Sequence, residues 1–168
     1  MKKYMINYSH IDKCSVSNGS RLRTVLWVSG CTQKCYNCQN PQTWDFNSGI
    51  PFTEETMTEL LNDLSKDYIS GLTFSGGHPL EKQNLDCVTY IAKTVKKLYP
   101  NKTIWLYTGY LWEEVKDLEI IKYLDVIVDG KYIDSQRDVT LAWRGSSNQR
   151  VIDVQKSLAD NTIRLYCE

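Results

Sequence analysis

Short apolar runs stopped by glycine alternate along this chain with longer stretches whose apolar residues recur at helical spacing. Residues 24–28 are rich in β-branched and aromatic types and end at Ser29-Gly30, which is the pattern of a strand. Residues 71–75 stop in the same way at Gly76-Gly77, residues 103–108 at Gly109, and residues 124–128 at Asp129-Gly130. Between these runs, Thr53 is placed to cap a helix with Glu54 and Glu55 in its first turn and Met57, Leu60, Leu61, Leu64 and Tyr68 on one face. Asn84 is placed to cap a second helix that buries Leu85, Val88, Ile91, Val95 and Leu98 and ends near Tyr99-Pro100. A shorter helix is expected over about residues 111–122.

Strands separated by helices of this length pair in parallel through right-handed crossovers, and the near-continuous apolar run at 124–128 suits a sheet covered on both faces. Two later runs, 150–154 and 162–166, are expected as edge strands. A chain of 168 residues is too short for eight βα units, so the expected fold is α/β, a partial, open βα barrel with a mostly parallel sheet. No repeat, low-complexity tract or long linker interrupts it, and residues 1–168 read as a single domain.

Lys plus Arg number 20 and Asp plus Glu number 20, so no net field draws the chain to nucleic acid or to an anionic membrane. The N-terminal residues lack the apolar stretch of a signal peptide, and no run approaches the ~20 apolar residues of a membrane span. A cytoplasmic setting is therefore expected. Six cysteines are present, three of them within eight positions, and such clustering without a secretion signal favours metal or redox chemistry over disulfides.

Those three, Cys31, Cys35 and Cys38, follow the first predicted strand directly, at CxxxCxxC spacing. A loop this short can gather its thiolates around one cubane, and three thiolates leave one iron of a 4Fe-4S cluster open to a non-protein ligand. The competing reading is structural zinc, completed by Cys14, His10 or His78. A redox dithiol fits less well, because a third thiol lies beside either pair. Ser75-Gly76-Gly77-His78-Pro79 lies at the C-terminal end of a predicted strand, where α/β proteins collect ligands, although an isolated Gly-Gly is more often an ordinary tight turn.

The cysteine spacing resembles the radical S-adenosylmethionine superfamily. Several further stretches narrow the resemblance to its glycyl-radical-enzyme activases, those that serve anaerobic ribonucleoside-triphosphate reductases: VSGCTQKC with NPQTW, LTFSGGHPL, LYTGY, VDGKY and WRGSSNQRV. They run from about residue 25 to residue 152 in the family's order. The resemblance implies that Cys31, Cys35 and Cys38 bind three irons, while the amino and carboxylate groups of S-adenosyl-L-methionine chelate the fourth. An electron passed through the cluster then splits the sulfonium into methionine and a 5'-deoxyadenosyl radical. That radical takes a hydrogen from a glycine of the large reductase subunit.

By the same resemblance, Gly76 and Gly77 receive the cofactor's amino group, and His78 stands where the family usually has an acid. Asn37, Cys38 and Gln39 lie where the adenine is received, and Lys131 matches a basic residue that meets the carboxylate. Arg144, Ser146 and Asn148 are read as cofactor or partner contacts. An electron donor such as a flavodoxin or ferredoxin is implied, a homodimer is left open, and Cys14, Cys87 and Cys167 are read as structural or incidental. The rival readings are an activase of the pyruvate formate-lyase type, a small-molecule radical enzyme such as deazaguanine synthase, and a non-catalytic zinc or electron-transfer module.

Overall fold

In the computed structural model, which describes residues 4–167, the predicted apolar runs lie side by side in one sheet. The strands are β1 (Asn7–Ser15), β2 (Arg23–Val28), β3 (Ile50–Pro51), β4 (Gly71–Gly76), β5 (Thr103–Tyr107), β6 (Val126–Asp129) and β7 (Arg150–Asp153). Their order is β3-β1-β2-β4-β5-β6-β7. Pairing is parallel from β2 through β4 and β5 to β6, and antiparallel at both margins, where β1 joins β2 and β3, and β7 joins β6. The parallel sheet expected from the sequence thus occupies the middle only.

The helices are α1 (Glu54–Leu64), α2 (Lys82–Leu98), α3 (Trp112–Val115) and α4 (Val154–Asp160). Because β2, β4, β5 and β6 are laid down in sequential order, same-handed crossovers put their connecting helices on one face. There Leu60, Leu64, Val88, Ile91 and Val95 pack on Leu26, Leu72, Phe74, Ile104, Leu106 and Ile127 to form the main core. The other face carries a smaller cluster, Trp105, Val126, Val128 and Val151, covered by Trp143 and Tyr166 from loops rather than by a helix. Among the described residues no helix is long and apolar enough to cross a membrane.

Thr53 caps α1 as expected, its hydroxyl accepting from the Thr56 amide at 3.3 Å. Asn84 does not cap α2. The helix starts at Lys82 with Glu81 at its cap position, and the buried Asn84 amide donates instead to the Ser29 and His78 carbonyls, both at 3.0 Å. Leu98 and Tyr68, expected on buried faces, are exposed, and Tyr99 packs on the core in place of Leu98.

The helix expected over 111–122 is broken into α3 and a 3-10 turn at Glu119–Tyr123. Trp112, Val115, Ile120, Ile121 and Leu124 are all buried, and at 100° per residue they would wrap too much of a straight helix for one face to hide. The expected strand at 162–166 is reduced to one bridge between Ile152 and Leu165. The run at 150–154 splits, its last residue starting α4 behind an Asp153 cap that accepts from the Lys156 amide at 3.1 Å.

One fully buried side chain ties the parallel strands together on the loop-covered face. Arg23 in β2 donates to Thr73 Oγ1 and the Leu72 carbonyl in β4, and to Thr103 Oγ1 and the Thr103 carbonyl in β5, all at 2.8 Å. Its guanidinium lies 5.5 Å from the Trp105 ring, an attractive placement for a cation. Burial pushes its pKa down to about 10, so it stays charged at neutral pH with neutral partners. Arg23→Ala removes these donors from buried acceptors and opens a cavity; it should cost about 3 kcal/mol or more, as read by urea unfolding.

Candidate functional site

The site begins where β2 and β4 end side by side. The Gly77 amide donates to the Val28 carbonyl and the His78 amide to the Gly30 carbonyl, both at 2.8 Å, so the glycine turn after β4 lies against the start of the cysteine loop after β2. Neither glycine can be replaced freely. Gly76 has φ +99°, and a Cβ there would fall 2.6 Å from the Val28 carbonyl oxygen; at Gly77 it would fall 2.7 Å from that of Gly30.

The cysteine loop is shaped by its own backbone. Lys34 and Asn37, each just before a cysteine, take left-handed conformations with φ 45° and 54°. These turn the chain so that Cys35 and Cys38 face the same cleft as Cys31, and the Cys38 amide donates to the Cys35 carbonyl at 3.1 Å. Behind the loop, the Gly30 and Cys31 amides donate to the carbonyls of Thr43 and Trp44, beside the 3-10 turn Pro41–Thr43. The three thiols are free and half-buried, whereas Cys14, Cys87 and Cys167 lie away from the cleft.

The cleft has a volume of about 640 Å³ at the C-terminal ends of the parallel strands. Of the residues expected from the sequence, Cys31, Cys35, Cys38, Gln39, Gly76, Gly77, His78 and Arg144 line it. Asn37, Lys131, Ser146 and Asn148 do not. Asn37 donates to Asp134 Oδ2 at 3.1 Å, and Asn148 donates to the Lys131 carbonyl at 2.7 Å. Arg137, Trp143 and Arg144 reach the cleft from the long connection after β6. Gln33 Oε1 and Trp27 Nε1 are buried in residues of its wall without a partner.

His78 is 2% exposed, and its protonation follows from its neighbours. The Gly109 amide points at Nε2 (3.4 Å), so Nε2 accepts, and the Thr108 hydroxyl donates to it at 2.7 Å. Nδ1 therefore carries the hydrogen and donates to Glu81 Oε1 at 3.3 Å. Burial lowers the imidazole's pKa, against the opposing pull of Glu81.

Glu81, which its sequence context does not mark out, is also buried. Its Oε1 accepts from the Thr32 amide at 2.8 Å and the Thr32 hydroxyl at 2.7 Å. Burial alone would raise this carboxyl, but the two Thr32 bonds, with His78, outweigh it and hold the group below its ordinary range. Ligand atoms of Cys31, His78 and Glu81 lie within 4.8 Å of one another, a set that could also take a divalent ion.

Three thiols on one loop, a backbone cradle that a Cβ would fill, and unpartnered polar atoms in the wall fit an iron-sulfur cluster with a polar small molecule beside it. Comparison with known proteins agrees with the cluster. The family described as a 4Fe-4S single cluster domain matches residues 17–152. The anaerobic ribonucleoside-triphosphate reductase-activating protein of Enterobacteria phage T4 is 47% identical over 146 residues, covering 87% of this chain and 93% of the phage protein. Proteins of the same description from Vibrio cholerae and Escherichia coli K12 are 41% and 37% identical over 148 and 150 residues. These cover 86% and 87% of this chain, and 96% and 97% of their own lengths.

Because the fold accepts His78 neutral, the unfolded chain takes up its proton first as pH falls through the ordinary imidazole value of 6.5. Stability in urea should decline as pH drops from about 7 toward 5.5, and His78→Gln should flatten that slope whatever it costs in absolute stability.

Proposed function

This chain belongs to the family of anaerobic ribonucleoside-triphosphate reductase-activating proteins, and on that premise we propose that it installs a glycyl radical on such a reductase. The observation that carries this reading is the placement of Cys31, Cys35 and Cys38 on one wall of the cleft, with the other three cysteines elsewhere. When bound, a 4Fe-4S cluster and S-adenosyl-L-methionine supply the reductive chemistry, a 5'-deoxyadenosyl radical that takes hydrogen from a glycine of the reductase. The chain's own work is to hold, orient and shield.

Cys31, Cys35 and Cys38 would hold the cluster, three thiolates leaving room for a non-protein ligand. Gly76 and Gly77 bring backbone groups close to the amino group, and His78, neutral and tied on both nitrogens, braces that turn without repelling a cation. Arg137 and Arg144, in the cleft wall, are better placed than Lys131 to meet the carboxylate. Gln39 and the loop backbone near Asn37 receive the adenine, while Asn148 acts by fixing the Lys131 backbone. The parallel strands with their helices on one face are read as the wall of a partial barrel of the radical S-adenosylmethionine type, forming one domain around the cleft.

The cleft lacks a full roof. Val139 on its wall is 81% exposed and Tyr36 on the cysteine loop 78%, so the reductase is the component that closes the site and excludes water. A small flavodoxin or ferredoxin supplies the electron, in a cytoplasm that keeps the thiols reduced. A second reading, a divalent-ion site, is favoured by the Cys31, His78 and Glu81 grouping alone.

Anaerobic reconstitution with iron and sulfide should give about four irons per chain and a spectrum that changes on adding S-adenosyl-L-methionine. Zinc without sulfide would sink the reading. Coexpression with a matching reductase should produce the glycyl radical signal in electron paramagnetic resonance, and alanine at any of the three cleft cysteines should abolish it. Val139→Asp should leave cluster loading intact yet reduce radical yield and deoxyadenosine formation in the presence of the reductase; unchanged yield would remove Val139 from the docking face.

A further inference from the structure

We propose that Glu81 is a positioning residue that holds down the reduction potential of the cluster, acting through Thr32 and Cys31. This rests on the cluster reading above. The carboxylate is 6% exposed, and its Oε1 takes both donors of Thr32, the residue directly after Cys31. Its ligand oxygen, the Cys31 sulfur and a His78 ring nitrogen all lie within 4.8 Å of one another. Among the described residues its one ion-pair candidate is His78, and that imidazole is neutral by its hydrogen bonds. A buried negative charge a few ångströms from Cys31 is thus left without a cation to offset it.

Two effects follow, and they have the same sign. A fixed negative charge at this range, poorly screened by solvent, disfavours adding an electron to a cluster bound at Cys31. In addition, the Thr32 N–H and O–H are occupied by the carboxylate and so are not offered to the cysteine sulfur. Donors to sulfur would stabilise the extra electron and raise the potential. The sequence around the site shows what is unusual here. His78 stands where the resemblance leads one to expect an acid, and the buried carboxylate comes three residues later, bonded to the cysteine loop.

The test is a dithionite titration of the anaerobically reconstituted protein, followed by electron paramagnetic resonance, for the unaltered chain, Glu81→Gln and Thr32→Val. Glutamine keeps a side-chain oxygen to accept from Thr32 but drops the charge. Its cluster should be easier to reduce by about tenfold in equilibrium constant, about 59 mV for one electron. Thr32→Val removes a donor that partly offsets the carboxylate, so its potential should move the opposite way. A purely structural role predicts shifts of one sign in both variants, or none, and either result overturns the proposal.

It is likewise overturned if Glu81→Gln loads its cluster with an unchanged or lower potential, or folds without loading, since the amide retains both Thr32 bonds. If Glu81→Gln does not fold, the sign of the Thr32→Val shift decides alone. Failure of the unaltered protein to assemble any cluster is a different result, and it sinks the functional reading instead.

Discussion

Two neighbouring parallel strands end at the same level, and each loop that follows is held by the backbone of the other. The Gly30 carbonyl takes the His78 amide, the Val28 carbonyl takes the Gly77 amide, and the Asn84 side chain reaches both the Ser29 and His78 carbonyls. Without that stitching the cysteines and the glycine turn would be two separate loops. With it they are one surface, and the helix that follows the turn is anchored to the strand that precedes the cysteines. Every feature of the cleft wall on this side depends on backbone groups that only a glycine pair leaves approachable.

The two faces of the sheet are built on different terms. On the helix side, burial of aliphatic side chains supplies the driving force. On the other side a buried arginine spans three strands, and two tryptophans and a tyrosine pack edge to face around it, with Trp105 and Trp143 ring centroids 5.1 Å apart. The arginine's donors on this face all find acceptors, whereas in the cleft wall Gln33 Oε1 and Trp27 Nε1 are left without a partner.

The central strands and α1 and α2 were legible in the sequence because the side chains that pack between sheet and helices must be apolar and recur at strand or helix spacing. β1 was not, since Asn7–Ser15 is largely polar and its register against β2 slips twice. Asn84 looked like a cap because asparagine is a good one, and only the fold reveals two carbonyls within its reach. The cysteines and Gly76-Gly77 could be read from their spacing and position after strands. Arg137 and Glu81 could not. The first arrives on a connection without periodic pattern, and the second is a charge whose burial depends on Thr32, forty-nine positions earlier.

The left-handed backbone at Lys34 and Asn37 has a consequence for how this loop can vary over time. Neither side chain lines the cleft, so contact with a ligand places little restriction on them. Handedness does: asparagine and glycine accept such torsions at small expense, whereas valine, isoleucine and threonine resist them. Drift at the two positions is therefore filtered by torsional stereochemistry, and a chain could lose the shape of its cysteine loop through a change that touches no thiol.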